Sequence, residues 1–267
     1  MKKKILITGA TDGIGRLVAI ELANQGHQVY IHGRNPEKVE QAIEEIKKST
    51  GNTQVEAFIA DFSDLNAVKS MSREVTSKIS ELDVLINNAG VFNSPVSVVG
   101  STDIRFLVNY LAPVLLTHSL LPILRNSSNP RIINLGSAAQ APVSTANLKS
   151  SRNLSAQQAY AQSKLAFTMW TFHLSHTVQD INSIVVNPGS LLDTKMAKEA
   201  FGQVWSPAEK GSDIMMKLAL SAEYSNASGK YYDNDKGGFG NAHPEAYQSA
   251  KVTELIEVTK EVLKIEM

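Results

Sequence analysis

The 267-residue sequence predicts a single α/β domain, residues 1–267, with a doubly wound parallel sheet and helices on both of its faces. Three observations predict it. Short apolar runs of strand length alternate with longer amphipathic runs along most of the chain, the pattern of repeated strand–helix–strand units. The first strand leads into a Gly-rich turn and then a helix. Polar residues able to carry chemistry fall just after the predicted strands, and parallel sheets of this kind bind ligands off those carboxyl ends.

Ile5-Leu6-Ile7 is an apolar run stopped by Thr8-Gly9, which reads as a buried strand. Gly13 and Gly15 follow, then a helical pattern through Leu17, Val18, Ile20 and Leu22. Residues 28–32 read as the second strand, ending at Gly33-Arg34. Residues 36–48 form a helix with Pro36 at its start, where a missing N–H is tolerated. The third strand, 55–60, ends in Asp61-Phe62 and is followed by a helix over 64–79. The fourth, 84–86, ends in Asn87-Asn88-Ala89-Gly90. Residues 102–125 read as one long helix containing Asn109 and Pro113. Pro113 has no N–H for the carbonyl of Asn109 four residues back, so that carbonyl is expected to be free for a water. The fifth strand, 131–135, precedes Gly136-Ser137, and a helix spans 155–179. The sixth lies within 180–186, before Asn187-Pro188-Gly189. A helix over 208–220, a last short strand over 229–232 and an amphipathic closing helix over 245–265 complete the chain.

Composition excludes several classes. Lys+Arg and Asp+Glu both number 26, so no basic excess points to nucleic acid or an anionic membrane. There is no cysteine, hence no disulfide, thiolate nucleophile or Cys-ligated metal. His173 and His176 share a helix but lack a third ligand, and no metal site is expected. The basic start Met1-Lys2-Lys3-Lys4 is followed by an apolar run that stops at Ile7, with Asp12 soon after, against a signal peptide. The longest apolar stretch, 111–124, holds two prolines and a histidine and is too short to span a bilayer. The expectation is a soluble cytoplasmic protein with no transmembrane segment.

The Gly-rich turn suits a phosphate at a helix N-terminus, where free N–H groups and the helix dipole favour an anion. Its spacing, Gly9-x3-Gly13-x-Gly15, differs from G-x-G-x-x-G. Asp12, inside the turn, argues mildly against strong phosphate affinity. An NAD site would carry an acid after the second strand; Gly33 and then Arg34 stand there, and arginine suits a 2′-phosphate. NADP(H) is therefore expected over NAD(H), with NAD(H) possible. Tyr160 and Lys164 are one helical turn apart on one face. A cation beside a phenol favours phenolate, so the Tyr160 pKa is expected to fall.

Taken together, Thr8-Gly9-x3-Gly13-Ile14-Gly15, Asn87-Asn88-Ala89-Gly90, Asn109, Ser137, Tyr160-x3-Lys164 and Pro188-Gly189 resemble the classical short-chain dehydrogenase/reductase family over nearly the whole chain. The resemblance implies a Rossmann-type sheet of about seven parallel strands. It implies Tyr160 as acid/base, Lys164 as its modulator and a holder of the nicotinamide ribose, and Ser137 orienting a substrate carbonyl. It also implies that Asn109 positions a relay water. Asp61, with Phe62, matches the adenine contact, and Asn88, Ala89 and Gly90 line the cofactor. The segments 206–211, 228–232 and 243–246 look like the retinol dehydrogenase-like branch, which includes the WW-domain oxidoreductases. Ser137 and Tyr160 stand 23 positions apart, more than is usual in the family. The family threonine after Pro-Gly is shifted to Thr194, with Asp193 in its place, which puts its cofactor contact in doubt.

The implied function is an oxidoreductase interconverting a carbonyl and an alcohol by hydride transfer. The alternative is a non-catalytic dinucleotide sensor or scaffold on the same fold. A mobile lid is expected over 190–204, with Leu191, Leu192, Met196, Phe201 and Trp205 offering apolar contacts to a partly hydrophobic small-molecule substrate. Family analogy implies a homodimer or homotetramer, with the helices carrying Asn109 and Tyr160 at the interface.

Overall fold

The computed structural model describes residues 2–151 and 154–267; the side chain of Phe201 lies outside the described residues. In chain order the first half comprises β1 (Lys4–Ile7), α1 (Gly13–Asn24), β2 (Gln28–Gly33), α2 (Pro36–Thr50), β3 (Val55–Ile59), α3 (Leu65–Lys78) and β4 (Val84–Asn87). A small hairpin, β5 (Val98–Val99) and β6 (Thr102–Asp103), precedes α4 (Ile104–Phe106), a π turn (Leu107–Leu111) and α5 (Ala112–Leu124). Next come β7 (Arg131–Leu135), α6 (Ala146–Lys149), α7 (Ala156–Thr177), β8 (Asn182–Asn187) and α8 (Lys195–Phe201). The chain closes with α9 (Glu209–Leu220), β9 (Tyr231–Asp233), β10 (Gly238–Gly240) and α10 (Ser249–Leu263).

Helix starts follow local chemistry. Asp12, Asn35 and Asp64 cap α1, α2 and α3 with side-chain oxygens on free N–H groups. Ser155 and Gln158 form a reciprocal capping box that fixes where α7 begins, five residues before Tyr160. Gly51 ends α2 in the left-handed conformation.

The sheet has the order β10-β9-β8-β7-β4-β1-β2-β3. Seven strands are parallel, as expected, and β10 adds an antiparallel eighth at one edge. Nothing in the three residues Gly-Phe-Gly advertises a strand; the Tyr232–Phe239 ring contact holds it in place. One face of the sheet is covered by α3, α5, α7 and α10, the other by α1, α2 and α9. β1 and β4 are neighbours while β2 and β7 lie outside them, so the chain reverses its winding between β1 and β4, which is where a crevice opens.

Two expectations change. The long helix does not start at residue 102: Thr102 and Asp103 pair with the hairpin, and the helix runs Ile104–Leu124. It is interrupted by the π turn, where the Ala112 N–H reaches back to the Leu107 carbonyl just before Pro113, which has no N–H to offer. This helix is long and apolar enough to cross a membrane by length and composition, with mean hydropathy 1.6, yet 78% of its apolar window is buried inside the fold. Its apolar character is that of a core helix.

The second concerns the expected interface. Residues 163–172 of α7 are all buried within one chain, so the middle of this helix has no free face. α10 supplies part of the cover through Leu255, Ile256, Thr259 and Leu263, and the Thr259 hydroxyl bonds the Tyr110 phenol at 2.6 Å. The middle of α7 therefore offers no surface to a second subunit.

Candidate active site

The Gly-rich turn is held in place from below. Thr8 is fully buried at the end of β1, and its hydroxyl accepts the N–H groups of Asn88 and Ala89, both at 3.0 Å. The Asn88 amide donates to the carbonyls of Thr8 and Gly9, both at 2.9 Å. Thr8 and Asn88 thus sew the end of β1 to the end of β4 and act through the backbone they position. Gly9 has φ +65°, and a Cβ there would lie 2.7 Å from Ala89 Cα. A Cβ on Gly15 would meet the Asn88 amide nitrogen at 2.4 Å and the Gly9 carbonyl at 2.5 Å. Gly13, at φ +55°, opens α1, and Asp12 takes its N–H at 2.7 Å. Ile14 packs back toward Gly211 on α9.

His32, which the sequence reading passed over, completes the support. Its Nδ1 accepts the Gly9 N–H at 3.2 Å, so Nε2, 3.0 Å from the Ala60 carbonyl, carries the proton. Burial lowers its pKa to about 4, which keeps this neutral tautomer through physiological pH. Phe62 stacks on the His32 ring at 4.1 Å between centroids and is buried, leaving only its backbone to face a ligand. Asp61 is exposed beside it and accepts from the N–H and hydroxyl of Ser63. Arg34 is exposed and has no acidic partner among the described residues. A Cβ on Gly33 would lie 2.6 Å from Thr11 Cγ2 and 2.7 Å from Val39 Cγ2, so no acid fits there unstrained.

Ser137, Tyr160, Lys164 and Asn109 come together at the ends of β7 and α7. Ser137 lies beside Tyr160 and acts to lower the pKa of its phenol. Lys164 is buried; its Nζ lies 5.8 Å from the Tyr160 ring centroid and donates to the Leu135 carbonyl at 2.7 Å. Burial lowers the Lys164 pKa to about 8. The Asn109 amide is fully used: its Oδ1 accepts the Val91 N–H at 2.7 Å, and its NH2 donates to the Val91 carbonyl and to Ser163. Its side chain has no donor left for a water.

The expected fall of the Tyr160 pKa is not what this state shows. Burial raises it, and Ser137 offsets only part of that. The reason is geometric. The ammonium sits beneath the ring and is directed at a main-chain carbonyl, while the half-buried phenol has lost much of its water.

The flap after β8 is built differently from a free loop. Gly189 turns at φ +125°, and Asp235 anchors the next residue by accepting the Ser190 N–H at 2.9 Å and hydroxyl at 2.6 Å. Burial pushes the Asp235 carboxyl up, but the bonds from Ser190 and Asn187 outweigh it and hold the group below its usual range. Pro188 is fixed through its carbonyl by Asn234 at 2.8 Å. A Leu192–Ser206 bridge closes the base of the flap, and Trp205 donates its N–H to the Leu191 carbonyl at 2.8 Å. Thr194 caps α8 with its hydroxyl while its methyl lies over Gly13, so the shifted threonine still reaches the Gly-rich turn.

Of the apolar residues expected to line a pocket, Met196 is near Gly90, Leu192 is buried toward Gly189 and Gly211, and Trp205 is 71% exposed. Leu191 is half-buried in the left-handed region at φ +48°. Phe201 lies outside the described side chains. The residue that sequence reasoning missed is Phe92, whose ring packs 4.9 Å from Tyr160. Its carbonyl accepts from Arg105 Nε at 2.6 Å, and Arg105 is itself fixed by a buried ion pair with Asp103. No local pattern marks such a residue; only its place two positions after Gly90 hints at it.

A nicotinamide dinucleotide fits these residues. A Cβ on Gly90 would meet Asn109 Oδ1, Lys164 Nζ and Met196 Cε at 3.5–3.8 Å, so the glycine keeps open a cradle between the catalytic helix, α7 and the flap. The Lys164 ammonium has three donors and one described acceptor, leaving capacity for sugar hydroxyls. No group of three or more potential metal ligands occurs among the described residues.

Comparison with known proteins agrees with this geometry. Residues 3–205 match the short chain dehydrogenase family. Human polyprenol dehydrogenase is 32% identical over 252 residues, covering 86% of this chain and 76% of that protein. Bovine retinol dehydrogenase 12 is 31% identical over 277 residues, covering 98% and 87%. The structure of a short chain dehydrogenase from Escherichia coli CFT073 complexed with NADPH superposes with TM-score 0.72 at 26% identity, covering 87% of this chain and 96% of that one.

Proposed function

This chain belongs to the short-chain dehydrogenase family, with retinol dehydrogenase-like relatives, and from that premise we propose an NADP(H)-dependent oxidoreductase that interconverts an aldehyde or ketone and its alcohol. The observation that carries the proposal is the convergence of Ser137, Tyr160 and Lys164, with the Lys164 ammonium 5.8 Å from the Tyr160 ring centroid. NADPH supplies the hydride when bound. Tyr160 holds the proton that the carbonyl oxygen receives; its raised pKa keeps the phenol protonated in the free protein, and a cation beside it must bring that pKa down for proton transfer near neutral pH. Ser137 orients the substrate oxygen by its hydroxyl. Lys164 binds the ribose hydroxyls and places a cation close to the phenol. Gly9, Gly13, Gly15 and the α1 N-terminus receive the pyrophosphate. Arg34 receives the 2′-phosphate, because it is unpaired and Gly33 excludes a competing acid.

Phe92 and Met196 favour a substrate with an apolar body next to its carbonyl. A soluble, cytoplasmic setting belongs to the same proposal; among the described residues, the apolar helix of membrane length is mostly buried inside the fold. Association into oligomers, if retained, requires a surface other than the middle of α7. The test is a panel of aldehydes, ketones and alcohols followed by absorbance with NADPH or NADP⁺, for the parent and Tyr160→Phe. Turnover should fall about 10²–10⁴-fold in the variant while NADPH still binds. A parent that binds NADPH but reduces no carbonyl is a dinucleotide sensor instead.

A further inference from the structure

Two C-terminal stretches, 228–232 and 243–246, take no part in the chemistry described so far, yet both lead to Ser137. The Tyr231 hydroxyl, on β9, donates to the Ser137 carbonyl at 3.1 Å. The Gln140 amide donates to the same carbonyl at 2.9 Å. Gln140 is itself held, because its Oε1 accepts the His243 N–H at 2.8 Å. Glu245 pins the strand of chain just beyond by accepting the Val143 N–H at 3.2 Å. The Ser137 hydroxyl accepts the Ala139 N–H at 3.1 Å.

We propose that Tyr231 and Gln140 are positioning residues for Ser137, a clamp through which the C-terminal segments set the direction of its hydroxyl. A carbonyl oxygen has two lone pairs, and here each has a side-chain donor. With the carbonyl fixed, the peptide plane after Ser137 is fixed. With Ala139 N–H on the hydroxyl oxygen, the hydroxyl proton and the remaining lone pair are left for Tyr160 and the substrate. Tyr231 is 4% exposed, and burial pushes its phenol pKa up, so it remains a donor at all working pH. The long separation of Ser137 from Tyr160 in sequence has a purpose in this arrangement: residues 138–145 reach across to the turn at 243–247 before the chain returns to α7. A serine held to within a few tenths of an ångström loses less of its effect in orienting a carbonyl than one on a free loop.

The inference rests on the carbonyl–alcohol reading, and the test separates the two. Tyr231→Phe keeps the ring and removes only the donor; Gln140→Leu removes the other. Each is made in the parent and in Ser137→Ala, and kcat, NADPH Kd and Tm are measured with the best carbonyl of the panel. The expected result for Tyr231→Phe is a fall in kcat of about five-fold, the equivalent of one neutral hydrogen bond. NADPH affinity should be unchanged, and any fall in Tm should be the same in the parent and in Ser137→Ala, since the lost bond is to the main-chain carbonyl. In Ser137→Ala the same change should cost no further kcat. Losses that multiply in the double variant overturn the clamp, since Tyr231 would then act independently of Ser137. Amide exchange over 138–143, measured without any substrate, should accelerate in Tyr231→Phe and Gln140→Leu, and unchanged exchange also overturns it. If no carbonyl is reduced by the parent, the function reading fails and the exchange result alone decides the clamp.

Discussion

Lys164 shows at the residue scale how function opposes stability. Its folded pKa of about 8 lies below the unfolded value of 10.5 because burial disfavours the ammonium. The folded state therefore binds protons less readily than the unfolded chain, and the cost is fully present below pH 8. It shrinks as pH rises from about 8 to 10.5, where the unfolded chain also loses its proton. Lys164→Met should raise the stability of the cofactor-free protein at pH 7, on the order of 1–3 kcal/mol, while weakening NADPH binding. Thermal denaturation at pH 7 and pH 9.5 checks this: the gain over the parent should be smaller at the higher pH, and a gain independent of pH contradicts it. Gly33 makes a second point at this scale. Thr11 and Val39 are β-branched and stiff, so a side chain at 33 must displace them. Gly33→Asp should lower stability by overpacking, by about 1–3 kcal/mol, without creating a preference for NAD(H). Arg34→Ala should weaken NADPH binding and leave NADH binding alone, measured by titration with both cofactors.

At the element scale, the flap is stiff at its base and loose at its tip. The base is fixed by Asp235, the Leu192–Ser206 bridge and the Trp205 N–H. The tip is tied to the opposite loop by the Asn93 amide on the Glu199 carbonyl at 2.9 Å. Its other ties are exposed ion pairs, Lys195–Glu199 and Asp193–Lys198, which contribute little. Those contacts place any hinge after the anchored base, so the segment expected to move is shorter than 190–204. Amide exchange should be fast over 195–204 and slow at 190–194, and NADPH should slow only the first group. Asn93→Ala should speed exchange at the tip in the free protein; equal protection throughout 190–204 would contradict the hinge placement.

At the scale of the whole molecule, α10 is an element that covers the middle of α7. It closes over α7 with Leu255, Ile256 and Leu263, and the Lys149–Glu261 pair at 2.6 Å ties it to α6 in the segment between Ser137 and Tyr160. Truncation after Gln248 should expose apolar surface on α7 and leave a protein that aggregates or melts well below the parent. Light scattering and thermal melting read this directly. A truncated chain that stays monomeric with the parent Tm would reduce α10 to an accessory.

The sequence by itself determined the alternation of strands and helices, the placement of the Gly-rich turn, and the one-turn spacing of Tyr160 and Lys164, because periodicity, glycine spacing and helical register are local properties; Ser137 joined that pair only through the family resemblance. It also determined that no acid follows β2. What only the tertiary structure decided depends on groups far apart in the chain. Periodicity does not report which neighbour covers a helix, so the sequence did not show that the middle of α7 is buried within one chain. A pKa depends on burial and direction, so Lys164 being one turn from Tyr160 did not settle the sign of the phenol shift. His32, Phe92, Gln140 and Tyr231 acquire their roles from partners between 3 and 103 positions away. Hydrogen bonds and ring contacts at such separations leave no periodic trace in sequence, and only the folded backbone brings their ends together.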